Sequence, residues 1–224
     1  EKGKKISKEL VAAAEKLAAW NPYDQNESSP FFDSEWMFGV KEGFSIVIGN
    51  PPYIDSELMK KNCPEFRDYL REQLKTTQGN WDLYIAFTET AFNLLSQNGF
   101  LSFITPNKWL SAPYGKALRG FLRACVTSVV DCSAVDVFEA GNTPIVFIIS
   151  RSGVKDCKVY RFEKDYAIEH GTTVNTSSLS DDNWGHLLSR NISLNNKVAT
   201  HTSTVGDLFI VENPFTTGEA YELC

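Results

Sequence analysis

The run Phe44-Ser45-Ile46-Val47-Ile48-Gly49 is halted at once by Asn50-Pro51-Pro52, and this junction constrains the fold more than any other stretch of the chain. β-Branched residues are at ease in extended backbone and pack well on a pleated surface, so the six residues predict a strand. Their nearly unbroken apolar character predicts burial on both faces. Neither proline has an N–H to give to a sheet ladder, so the strand must stop there. A strand covered on both faces belongs to an α/β sheet, and the loop at its carboxyl end lies where open sheets of that kind bind ligands.

The remaining segments are spaced as such a sheet requires. Ile6, Leu10, Ala13, Ala14, Leu17 and Ala18 recur at helical intervals over 5–20, ended by Asn21-Pro22. A charged helix is expected over 65–74. An amphipathic one is expected over 82–95, with Ile85, Phe87, Ala91, Phe92 and Leu95 turned inward. After a turn at Gln97-Asn98-Gly99, residues 100–104 predict a second buried strand, 114–123 a helix, 126–130 a third strand and 144–149 a fourth. No helix fits between the last two strands, so one of them is expected to run antiparallel in an otherwise mainly parallel sheet. Beyond Arg151 the chain turns polar, with a helix expected at 182–190 and weak strand signals at 158–162 and 208–211. Domain boundaries are expected near 40 and 151, giving segments 1–40, 41–151 and 152–224.

Composition narrows the classes of partner. The chain is 42% hydrophobic and 22% charged, enough for a sizeable core. It has no run of eighteen apolar residues and no signal-peptide core after Glu1-Lys2-Gly3-Lys4-Lys5, so a soluble cytoplasmic protein without a membrane partner is expected. Cys63, Cys125, Cys132, Cys157 and Cys224 are scattered without CxxC spacing, which predicts reduced thiols and no metal site. The net charge of −6 argues mildly against nucleic acid, although a single cleft can concentrate what basic residues there are.

The chemistry sits in Asn50-Pro51-Pro52-Tyr53. The prolines stiffen the backbone and leave carbonyls free of sheet duties. The Asn50 side-chain oxygen and a neighbouring proline carbonyl are two acceptors that can converge on one exocyclic NH₂, which has two hydrogens to donate. Drawing electron density toward that nitrogen makes a conjugated amine a better nucleophile, and Tyr53 offers a flat face for a planar base. A proline pair at a strand end without function is the plain alternative, weakened by the full Gly-Asn-Pro-Pro-Tyr context. Elsewhere the plain readings are stronger. Phe87 on an amphipathic helix suits a core, Phe138 could plug a sheet edge, and Asp82 suits a helix N-cap. Asp33 and Glu35, shortly before the strand, are either cofactor acids or solvated loop acids.

The segment FSIVIGNPPY closely resembles the catalytic motif of amino-group methyltransferases that use S-adenosylmethionine. Its surroundings, from Asn21-Pro22-Tyr23-Asp24 to Trp36-Met37-Phe38-Gly39, resemble N6-adenine-specific DNA methyltransferases of this Asn-Pro-Pro-Tyr class, as in the fused (type IIG, Eco57I-like) restriction-modification enzymes. The likeness covers roughly residues 20–150 well and 151–224 loosely. It implies that Asn50 and the Pro51 carbonyl hold the amino group of a flipped adenine in double-stranded DNA, with Tyr53 and Phe138 stacking on the base. It also implies that Phe87 lines the cofactor's adenine pocket, that Pro52 borders it and that Asp82, opening the helix at Asp82-Leu83-Tyr84, is a cofactor-binding residue. Gly99 to Pro106 resembles the family's central strand, and Val205-Gly206-Asp207-Leu208-Phe209 the opening of a target-recognition module.

The implied fold class is α/β, a partial Rossmann-like methyltransferase sheet (its C-terminal half) followed by the start of an α+β target-recognition region. Segment 1–40 then leads in, 41–151 is the catalytic half and 152–224 begins the recognition domain. The family's glycine-rich cofactor turn and following acid have no counterpart before Asn50, and forty-nine residues are too few for three strands with crossovers. The chain is therefore expected to be an internal fragment, inactive alone. The same motif would serve a protein glutamine amide or an RNA guanine amino group, and a non-catalytic DNA-recognition module is the alternative from another class.

Overall fold

The computed structural model describes residues 8–19, 21, 24, 32–135, 137, 143–165, 167–191, 203 and 207. Helix α1 spans Lys8–Ala19 and α2 is a short turn at Ser34–Phe38, capped by Asp33, whose carboxylate accepts from the Trp36 N–H. Strand β1, Phe44–Gly49, leads through the proline corner to α3 (Ser56–Asn62), α4 (Pro64–Gln73) and α5 (Leu83–Asn93). Then follow β2 (Leu95–Pro106), α6 (Lys116–Leu122), β3 (Val126–Asp131), β4 (Pro144–Ser150), β5 (Asp156–Phe162) and β6 (Ile168–Asn175). The expected strands are all present except 208–211, which lies outside the described residues. Helices α2 and α3 were too short for periodicity to announce.

One sheet holds all six strands in the order β1-β2-β4-β3-β5-β6. It is mixed, not mainly parallel: β1–β2 and β3–β5 are parallel, while β4 is antiparallel to both its neighbours and β6 to β5. The cause is the connection expected to lack a helix. Only residues 132–143 join β3 to β4, and β4 reverses and slots between β2 and β3. β5 and β6 extend the same sheet, so the polar texture after Arg151 does not interrupt it.

Two further expectations are corrected. Gln97, Asn98 and Gly99 do not form a turn but lie inside β2, where an irregularity in the pairing with β1 absorbs them. There is no helix over 182–190, only a single 3-10 turn at Gly185–Leu188.

The core lies against one face of the sheet. Leu101, Phe103 and Thr105 on β2 and Ile145, Phe147 and Ile149 on β4 are buried there, beside Trp109, Leu118, Leu122 and Trp184. Two buried arginines fasten loops to it. Arg119 on α6 donates to the carbonyls of Trp109, Ala112, Asp181 and Asp182, and burial pushes its guanidinium below the usual value. Arg67 on α4 donates to the Gly79 carbonyl and stacks over Trp81. Arg151 closes the C-terminal end of α5 by donating to the Phe92 and Asn93 carbonyls, which the helix cannot satisfy itself, and to the Leu95 carbonyl at the start of β2.

β1 is not buried on both faces. Val47 packs against the core, but Ile46 is 69% and Ile48 78% exposed. β1 is an outer strand with a neighbour on one side only, and no described element covers its second face.

Candidate active site

The strand ends where the prolines require. Gly49 is its last residue, and a Cβ there would meet the Phe103 ring at 3.2 Å, so the small residue lets the corner sit close to β2. Asn50 follows, exposed, its side chain making no hydrogen bond among the described residues. Pro51 is buried, and no described donor reaches its carbonyl. Both oxygens are thus uncommitted at the carboxyl end of β1. Pro52 is exposed.

Tyr53 is half-buried and held at both ends. Its hydroxyl donates to the Ile104 carbonyl on β2 at 3.2 Å, and its ring meets Tyr84 edge-on at 6.2 Å and 85°. Burial raises its phenol above the usual value. The next residue is tied as well, since the Leu83 N–H at the start of α5 donates to the Ile54 carbonyl at 2.8 Å.

Phe87 is 43% exposed and does not face the core as the amphipathic reading expected. α5 is buried almost all round, with Leu83, Tyr84, Ile85, Ala86, Thr88, Glu89 and Ala91 covered, so the outward position carries the information. Phe87 lines a largely apolar cavity of about 380 Å³ together with Gly49, Asn50, Pro51, Thr90 and Phe103. Pro51, not Pro52, borders it. A flat apolar group fits between the β1 end and α5. A larger cavity of about 770 Å³, between Gln78–Asn80 and Tyr114, Lys116 and Asp181, contains no residue of the proline corner.

Asp82 occupies the N-cap position of α5, but its side chain caps nothing. Instead it accepts from the Tyr114 hydroxyl at 3.0 Å, and Tyr114 and Tyr84 share a hydrogen bond of 2.7 Å. Burial raises the Asp82 carboxyl and pushes the Tyr114 phenol up to about 12. Sequence reasoning missed both tyrosines. Tyr84 stands within the quoted Asp82-Leu83-Tyr84 segment, and a buried phenol must find a partner, but nothing local announced Tyr114 thirty-two residues from Asp82. Asp33 caps α2, and Glu35 forms an exposed pair with Lys41 at 3.2 Å; both carboxylates are engaged locally. Phe138 lies outside the described residues, as does the stretch around Val205 apart from Asp207.

Among the described residues no His, Cys, Asp and Glu cluster could hold a metal, and no helix is long and apolar enough to cross a membrane.

The chain is similar to known proteins over more than half of its length. The Eco57I restriction-modification methylase family matches residues 2–138. The type II restriction enzyme and methyltransferase RM.Eco57I of Escherichia coli is 28% identical over 153 residues, 63% of this chain and 15% of that protein. The type II methyltransferase M.PaeR7I of Pseudomonas aeruginosa is 34% identical over 124 residues, 53% of this chain and 21% of its own length. A solved structure of the type IIG restriction endonuclease BpuSI aligns with a TM-score of 0.49 at 17% identity, covering 70% of this chain and 22% of that one. The chain thus spans between about a seventh and a quarter of the first curated relatives it matches. With more than half of its length inside the family match, the chain belongs to the Eco57I restriction-modification methylase family.

Proposed function

We propose that this chain carries the catalytic corner of an S-adenosylmethionine-dependent methylase acting on N6 of adenine in double-stranded DNA. One observation carries the reading: the Asn50 amide is exposed and uncommitted beside an unclaimed Pro51 carbonyl, in a cavity shared with Phe87. Two fixed acceptors suit the two hydrogens of an amine conjugated to a flat ring. In this account Asn50 Oδ1 and the Pro51 carbonyl each accept one N6 hydrogen, holding the nitrogen lone pair away from the ring. Tyr53, with Phe138, stacks on the flipped base, at about 1–3 kcal/mol per aromatic contact, and so offsets the few kcal/mol that flipping costs.

The residues present fit one end of the cofactor. The apolar cavity beside Phe87 suits its adenine, with Asn50 and Pro51 at its rim. S-adenosylmethionine, when bound, supplies the methyl group from its sulfonium centre. Because the chain spans only a small part of its curated relatives, the isolated chain should bind the cofactor poorly and methylate nothing; titration calorimetry giving micromolar binding by this chain alone would contradict that. The segment 152–224 is assigned to the beginning of a target-recognition region, its first two strands laid on the catalytic sheet.

The test is product identification. The complete protein is incubated with duplex DNA and labelled cofactor, and the DNA is digested to nucleosides for mass spectrometry. N6-methyldeoxyadenosine is expected from the unaltered protein and none from Asn50→Ala. Label confined to cytosine, or found only in protein or RNA, would sink the assignment.

A further inference from the structure

The hydrogen-bonded group beneath the proline corner has no place yet in that account. Asp82 stands at a helix start without capping it and turns toward Tyr114 at 3.0 Å. Tyr114 meets the Tyr84 hydroxyl at 2.7 Å, and the Tyr84 ring braces Tyr53 edge-on at 6.2 Å. The backbone closes the circuit, for Leu83, next to Asp82, donates to the carbonyl of Ile54, next to Tyr53. Asp82 does not line the cavity shared by Asn50 and Phe87. The nearby charges that bear on it are Asp55, of like sign, and Lys108, of opposite sign.

The geometry points to Asp82 as a positioning residue that acts through Tyr114 and Tyr84 on Tyr53, and not as a ligand of the cofactor. The physical reason is directional. An ionised carboxylate is acceptor-only, so it fixes which way the Tyr114 hydroxyl donates and leaves the Tyr114 oxygen to accept from Tyr84. Hydrogen bonds in series polarise one another and hold two phenols in single orientations. The Tyr84 ring is then fixed, and with it the edge against which Tyr53 rests. A base-stacking plate gains from rigidity because less motion has to be frozen when the base arrives. The inference rests on the adenine reading of the same site.

The experiment compares Asp82→Leu, Asp82→Asn, Tyr114→Phe, Tyr84→Phe and the Asp82→Leu/Tyr114→Phe double variant in the complete protein. Each is assayed for kcat, for the KM of S-adenosylmethionine, and for the fluorescence of 2-aminopurine at the target position. Asp82→Leu, Tyr114→Phe and Tyr84→Phe should each lower kcat about tenfold and weaken the flipped-base signal, with the cofactor KM unchanged. The double variant should be no worse than either single one, because all members serve one chain. Asp82→Asn, which keeps an acceptor for Tyr114, should recover most of the rate. A purely structural role would lower the melting temperature without this split between kcat and KM and without rescue. If Asp82→Leu fails to melt cooperatively, the two phenylalanine variants and Asp82→Asn decide.

A raised cofactor KM with kcat preserved in Asp82→Leu, or losses that multiply in the double variant, would overturn the inference alone. Absence of adenine methylation by the unaltered protein would overturn the functional reading beneath it as well.

Discussion

Asn50 is the residue on which the proposed chemistry turns, and the proposal was legible in the sequence because it rests on residue types alone. Two prolines stop the strand, and the amide beside them can serve as an acceptor at its carboxyl end. The structure leaves it so, exposed and without a partner among the described residues. Replacing Asn50 by Ala should lower methyl transfer at least a hundredfold while DNA affinity by fluorescence anisotropy stays within a few-fold, since an acceptor aimed at the reacting atom acts mainly in the transition state. Phe87 was less legible. Helical periodicity turned it inward, and only the near-complete burial of α5 on its other sides singles out the exposed ring. Phe87→Ala should raise the KM for S-adenosylmethionine about tenfold with little change in kcat, measured at saturating DNA. Asp82 was misread for a physical reason: an acid before a helix caps it by default, and only a partner distant in sequence draws it away. Because burial holds its carboxyl above the usual range, the folded chain keeps that proton more tightly than the unfolded one. Stability from this group is therefore present at low pH and lost as pH rises through its folded value. Asp82→Asn should accordingly melt higher than the parent near pH 7, with the difference shrinking as the solution is acidified.

At the scale of elements, the alternation of strands and helices was readable because each run is short, apolar and punctuated. The places where expectation failed are those where a distant neighbour decides. Gln97-Asn98-Gly99 has turn chemistry, yet it runs in extended backbone because β1 pairs alongside it. The close approach there is strict. Gly43 has φ +89°, and a Cβ on it would lie 2.7 Å from Leu95 backbone, while one on Gly99 would lie 2.6 Å from the Phe44 carbonyl oxygen. Gly43→Ala should cost about 2–4 kcal/mol in denaturant unfolding, since both the left-handed backbone and the contact must give. Arg119 makes a second case. Nothing local predicts a buried guanidinium, but its four carbonyl acceptors span two loops. Arg119→Met should leave those carbonyls unmet and lower stability by about 3 kcal/mol or more, read by thermal melting.

For the molecule as a whole, sequence order and sheet order part company. Mainly parallel pairing follows from counting helices between strands, but β4 runs antiparallel to both its neighbours and β6 to β5, which makes the sheet mixed. The burial expected for β1 fails for a related reason. Apolar composition tells that a strand's face is suited to cover, not which element supplies it, and Ile46 and Ile48 remain exposed at the sheet's outer strand. The proline corner sits at the end of that same strand, so the proposed function comes down to how Asn50, Pro51 and Tyr53 meet a substrate. The most direct measurement is a structure of the complete protein with duplex DNA and a cofactor analogue. The account predicts an adenine turned out of the helix, its N6 within about 2.7–3.2 Å of both Asn50 Oδ1 and the Pro51 carbonyl oxygen, with its ring stacked on Tyr53. An adenine still stacked in the duplex in the cofactor-bound complex, or an N6 more than about 4 Å from both oxygens, would contradict it.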